Sequence, residues 1–139
     1  MAKNGFSMSN RVAVEAVTAG SEKTLTVNDC GKLLYVNQGS SITTINLPYT
    51  VDAEDGWNVT VVKIASGSSS ANINISSSAS DSNAILGVEL SDNAGDLNGA
   101  DNIAIAGVAD AGTQVEFVKA GQSWVVVTRA ATDASITTT

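Results

Sequence analysis

Along most of this chain apolar residues recur at every second position in short runs, and Gly, Ser and Asn interrupt them about every ten residues. A period of two buries only one face of a strand, and strands this short are not stable alone, so they must pair into sheets. The alternation is visible over residues 24–27 and 41–47, and most cleanly over residues 72–76, where Ile73 and Ile75 point one way and Asn72, Asn74 and Ser76 the other. Residues 57–65 place Trp57, Val59 and Val61 on one face and Val62 and Ile64 on the other. Apolar residues on both faces imply a sandwich interior or a subunit contact. Further strands are expected over residues 84–90, 102–106, 114–119 and 123–129. Residues 31–36 and 41–47 meet through a short Gly-containing link, and residues 114–119 and 123–129 through Ala120, Gly121 and Gln122. Both pairs read as β-hairpins. Pro48 follows a strand, where its missing N–H helps to end pairing.

The pattern therefore predicts an all-β fold, an antiparallel β-sandwich or barrel with hairpins. Only residues 12–19 and 51–55 have any helical character, and both are too short to organise a fold. With 139 residues the chain is one domain's worth. Its organisation reads as an N-terminal arm (1–13), a single β domain (14–129) and a polar C-terminal tail (130–139). Neither end buries enough apolar surface alone to offset its ordering entropy, so a partner is expected to order them. Leu34, Val36, Ile45, Leu47, Trp57, Val59, Val61, Trp124 and Val126 are expected in the core or at a subunit interface.

Composition narrows the chemistry. Hydrophobic residues make up 43% of the chain, aromatics 4% and charged residues 15%. Fourteen acidic against seven basic side chains give a formal charge of −7, which repels phosphate backbones and anionic headgroups. No nucleic acid or membrane partner is expected. The absence of histidine removes Ser-His-Asp and Cys-His catalysis and the common zinc sites. Cys30, the single cysteine, reads as a small buried thiol. No apolar h-region follows Lys3, and no run approaches the roughly 20 apolar residues of a membrane span, so synthesis in the cytoplasm without a signal peptide is expected.

Several local patterns carry possible chemistry. Glu89, Asp92, Asp96, Asp101 and Asp110 lie in a Gly- and Asn-rich stretch of the kind that supplies oxygen ligands to calcium. The spacing fails, because Ala100 stands where the third ligand belongs, and a solvated acidic loop is the better reading. Two carboxylates from Asp92, Asp96 and Asp101 would suit glycoside hydrolysis only with a second cleft wall, which a single acidic loop does not offer. Asn58 to Thr60 and Asn74 to Ser76 match a glycosylation sequon by chance in an Asn- and Ser-rich chain. Trp57 and Trp124 are the only indoles that could form a sugar-stacking platform, although both sit at strand ends that normally feed a core. No catalytic residue, cofactor or metal site is expected, and the protein reads as non-enzymatic.

Three stretches carry a resemblance. Gly31-Lys32-Leu33-Leu34-Tyr35-Val36-Asn37 is a Gly-Lys strand, Ile42-Thr43-Thr44-Ile45-Asn46-Leu47-Pro48 ends in Leu-Pro, and Gly56-Trp57-Asn58-Val59-Thr60-Val61-Val62-Lys63 opens an apolar strand on glycine. Together with Gly121-Gln122-Ser123-Trp124-Val125-Val126-Val127, this order resembles small bacteriophage virion β proteins. It is most similar to capsid decoration (cement) proteins, with tail-fibre modules as near neighbours. The resemblance implies an antiparallel β domain, commonly a homotrimer, placed on the outer surface of the virion capsid with the major capsid protein as partner. A glycan-binding host-attachment module is the alternative. On the decoration reading, Lys3, Phe6, Met8 and Arg11 of the arm are the expected capsid contacts: cations for an acidic shell, apolar side chains for its pockets.

Overall fold

The computed structural model describes residues 12–65, 71–82, 84–88, 99–130 and 136–138. Among the described residues eleven strands run in order: β1 (Ala13–Val17), β2 (Glu22–Thr24), β3 (Lys32–Val36), β4 (Thr43–Asn46), β5 (Asn58–Lys63), β6 (Ile73–Ser76), β7 (Ile85–Val88), β8 (Asn102–Ile105), β9 (Gln114–Ala120), β10 (Ser123–Arg129) and β11 (Ile136–Thr138). They form a six-stranded sheet A, ordered β1-β3-β5-β9-β10-β7, and a five-stranded sheet B, ordered β11-β8-β6-β4-β2. The all-β sandwich expected from the alternation is what the chain forms.

The first six strands alternate between the sheets. β1, β3 and β5 enter sheet A and β2, β4 and β6 enter sheet B, each pairing in parallel with the strand two before it. The second half reverses direction. β8 runs antiparallel to β6, β9 to β5, and β11 to β8, while β10 returns from β9 as a hairpin. β7 closes the far edge of sheet A, parallel to β10. A Cβ on Gly87 would lie 2.9 Å from the Val126 carbonyl oxygen, so glycine permits this close approach of β7 to β10.

The sheets are thus mixed rather than antiparallel, and five local expectations change. Residues 31–36 and 41–47 are not a hairpin, because β3 lies in sheet A and β4 in sheet B. The link turns a corner of the sandwich, stitched by Gln38: its Nε2 donates to the Ser41 carbonyl (2.7 Å) and its Oε1 accepts from Thr43 Oγ1 (2.6 Å). Residues 12–19 supply strand β1 instead of a helix, since β3 offers the backbone of Val14 and Ala16 a ladder that a short isolated helix could not match. Residues 51–55 form turns. Of residues 24–27 only Thr24 is in a strand: Leu25 is still buried and Thr26 exposed, but the alternation fails at exposed Val27, where Val27–Asp29 is a 3-10 turn in which Asp29 accepts from the Thr26 backbone N–H (2.8 Å). The segment read as a polar tail contributes β11. Ile136 is buried there opposite Ile105, so part of that end is ordered by the chain's own sheet B. The second hairpin forms as expected, with Gly121 at φ 64° in its turn.

The core lies between the sheets. Leu34, Val36, Ile45, Leu47, Trp57, Val59, Val61, Trp124 and Val126 are all buried within one hydrophobic cluster, together with Ile73, Ile75, Ile103, Ile105, Val115 and Phe117. Each such aliphatic or aromatic side chain contributes about 1.5–3 kcal/mol by leaving water. Trp57 and Trp124 meet edge to face at a centroid distance of 5.3 Å and an interplanar angle of 73°.

Candidate interaction surface

The arm contacts Lys3, Phe6, Met8 and Arg11 lie outside the described residues, as do Glu89, Asp92 and Asp96 of the acidic stretch. The nine residues expected in the core or at a subunit contact all resolve to the core, so none of them presents surface to a second molecule. The sugar-platform idea fails for the same reason. Trp57 is 4% and Trp124 0% exposed, and Trp57 Nε1 donates to the Val27 carbonyl (2.9 Å) rather than facing solvent. Cys30 is exposed, not buried, at the end of the 3-10 turn. Among the described residues no group of His, Cys, Asp or Glu is placed to hold a metal ion, and no helix is long and apolar enough to cross a membrane.

Several charged side chains serve the scaffold. On the outermost strands Glu15 stands opposite Leu34 and Lys23 opposite Ile45, so both occupy the core-facing phase where the sandwich would otherwise be open. Glu15 bonds Lys23 at 2.5 Å and Lys32 at 2.8 Å, and Lys32 also bonds Asp29 at 2.5 Å. Inward-pointing charges on edge strands disfavour pairing with a further strand. Hydrogen bonds from Lys23 and Lys32 hold the Glu15 carboxyl below its usual range. For Asp29, partial burial pushes upward, but the bonds from Lys32 and Thr26 outweigh it and the net shift is down. Bonds to Asp29 and Glu15 raise Lys32 to about 12. Near the same strand end as Asp29, Asp55 accepts from Lys119 Nζ and from the Gly121 N–H, both at 2.9 Å, and these hold its carboxyl low.

Lys63 is the least expected core residue. It follows Val59 and Val61 on the inward face of β5, is fully buried, and donates from Nζ to the carbonyls of Gly107 (2.6 Å) and Ala109 (2.7 Å). Burial lowers its pKa, opposed by the attraction of Asp110. The contact ties β5 to the loop after β8. The signal was the strict alternation of residues 57–63, which assigns Lys63 to the core face once Trp57 is placed there.

The outer faces of the two sheets differ in kind. On sheet B the rows are polar: Thr24, Asn46, Ser76 and Asn102 stand side by side across four strands. They satisfy one another, with Asn46 Nδ2 donating to Glu22 Oε1 (2.7 Å) and Ser76 Oγ to Asn102 Oδ1. A cleft of about 550 Å³ runs along this row and is also lined by Asp81 and Asp101. Thr50 donates to Asp81 from both its backbone N–H (3.1 Å) and its hydroxyl (2.6 Å), so that acid anchors a loop.

The outer face of sheet A mixes apolar with polar side chains. One row runs Val14, Leu33, Thr60, Glu116, Val127 and the next runs Ala16, Tyr35, Val62, Gln114, Arg129. Val14, Ile64, Leu86, Val125 and Val127 are each more than a third exposed, and Val12 stands exposed just before β1. The sequence displayed this at residues 57–65, and the Val125-Val126-Val127 run carries the same signal. Compared with known proteins, the chain matches no family model and no curated protein sequence.

Proposed function

We propose that this protein is a non-enzymatic bacteriophage capsid decoration (cement) protein that binds and reinforces the outer surface of an assembled capsid. Its partners on this reading are the major capsid protein and further copies of itself, in a homotrimer. The reading is supported by the ordered resemblance of residues 31–37, 42–48, 56–63 and 121–127 to that family, and by a scaffold that uses Glu15, Lys23, Asp29, Lys32, Asp55, Lys63 and Lys119 to close and brace itself.

One observation carries the proposal. Among the described residues β1 is an edge strand of sheet A paired with β3, and Val12 just before it and Val14 within it are 60% and 61% exposed. Directly before it stands a segment with two cations, Lys3 and Arg11, no acid, and the apolar Phe6 and Met8, in a chain of net charge −7. Arm and strand start together offer a continuous adhesive stretch: cations for an acidic shell and apolar side chains for its pockets. The glycan-binding alternative has no comparable support, since both tryptophans are buried.

The test is a chain lacking residues 1–10. It should keep the circular dichroism spectrum of the full chain and lose binding to purified capsids, while the full chain binds in many copies over the shell. Unchanged occupancy by the truncated chain would overturn the reading, as would a handful of copies confined to one vertex.

A further inference from the structure

We propose that the arm, residues 1–11, docks on its own chain in the hollow between the loops that precede β3 and β5, and that a capsid must displace it from there. This rests on the capsid reading of the arm above and names how that arm is held in the free protein. The hollow measures about 460 Å³, and Val27, Cys30 and Trp57 line it beside three carboxylates, Asp52, Glu54 and Asp55. Its two walls are joined by the Gly31 N–H, which donates to the Asn58 carbonyl (2.7 Å). Trp57 is buried but Val27 is 43% exposed, so uncovered apolar surface lies next to acid. The arm carries the complement: Phe6 and Met8 between Lys3 and Arg11, with no acid.

Position and charge select this occupant. β1, β3 and β5 are parallel neighbours, with Ala13 opposite Lys32 and Lys32 opposite Val59, so the arm leaves sheet A at the strand end where Cys30 and Trp57 stand. β3 and β5 lie about 5 and about 10 Å from β1, whereas the chain from Phe6 to Ala13 reaches up to about 23 Å when extended. Asp55 is already bound by Lys119, but Asp52 and Glu54 have no ion pair among the described residues. The described cations are already engaged: Lys23, Lys32, Lys119 and Arg129 face carboxylates, and Lys63 donates to carbonyls. Lys3 and Arg11 complete the chain's seven cations and supply the missing partners. A segment tethered this closely has an effective concentration of about millimolar, so at micromolar protein it outcompetes the arm of another copy.

Cys30 reports the docked state, because it is the chain's single thiol and is exposed on the hollow. The test is its alkylation by a neutral maleimide in the full chain and in the chain lacking residues 1–10. A covering arm slows the reaction, so the truncated chain should react about threefold faster or more. An arm that lent only charge would favour the reactive thiolate, and its removal would slow the reaction instead. Asp52→Asn with Glu54→Gln should bring the ratio of the two rates towards one, and so should Phe6→Ser with Met8→Ser in the full chain. On purified capsids the full chain with Asp52→Asn and Glu54→Gln should bind about threefold tighter or more than the parent, since its arm is no longer withheld. A parent ratio of one, a ratio that neither pair of substitutions moves, protection that grows with protein concentration, or a capsid affinity unchanged by the acid pair overturns the assignment. The two readings fail separately. Capsid binding lost on truncation without any protection of the thiol keeps the functional reading and overturns the docking. Protection of Cys30 with capsid occupancy unchanged by truncation leaves the docking in place and overturns the functional reading.

Discussion

The two halves of the molecule solve the same packing problem in opposite ways. β1 to β6 carry the chain from one sheet to the other at every step, so neighbours in each sheet are parallel and each was reached through the opposite sheet. β8 to β11 reverse direction instead, adding antiparallel strands and one tight hairpin. The winding half ends on an open pair of edges, β1 and β2, and closes its core there with charges. The reversing half is anchored by an indole pair, Trp124 on β10 against Trp57 at the start of β5. Winding leaves an end to be plugged, whereas reversal folds a lid from the same chain.

Breaking the lid should cost most. Trp124→Ala removes a fully buried side chain and its edge-to-face partner contact, and about 3–5 kcal/mol of unfolding free energy should be lost in urea titrations. The join between the halves comes next. Lys63→Met keeps much of the volume but removes the two hydrogen bonds that Nζ gives to the carbonyls of Gly107 and Ala109, so a loss of about 2 kcal/mol is expected. Hydrogen exchange should then quicken first in residues 106–109. A loss confined to β1 and β2 would show that Lys63 does not bridge the halves.

The plug should matter least. Glu15 is about a third exposed, so its ion pairs are screened, and Glu15→Gln should cost less than about 1 kcal/mol at neutral pH. Its signature is the pH dependence. The folded-state carboxyl titrates below its ordinary value of 4.5, so its contribution is present above that pH and is lost as pH falls through the lower, folded value. Thermal melts of the variant should therefore show a shallower decline below pH 4.5 than those of the parent chain.

Much of the strand content was legible because side-chain period is local. Ile73, Ile75, Val59 and Val61 announce their inward face whatever stands beside them. The false hairpin of residues 31–36 and 41–47 shows the limit. Leu34 and Val36 bury one face and Thr43 and Ile45 another, and that pattern is equally served by strands lying side by side or facing each other across a core. What decided it was Gln38, whose bonds to Ser41 and Thr43 satisfy the link at a corner. β1 was misjudged for a related reason: Val12, Val14, Ala16 and Val17 suit a short helix until β3 supplies a ladder. Of the candidate surface, the doubly apolar strand at 57–65 was visible, but the neighbours that make it one face were not.

By itself the sequence determined that this chain is all-β, which residues turn inward along most of its strands, and that its surface is acidic and lacks histidine chemistry. Only the tertiary structure decided which strands neighbour which, that the first half winds between sheets, that Lys63 is enclosed by carbonyls, and that the outer face of sheet A mixes apolar with polar side chains. The division has a physical cause. Alternation about a strand axis is set residue by residue, with the same period of two in parallel and antiparallel ladders, while partner choice depends on where each loop sends the chain and on which distant backbone satisfies it.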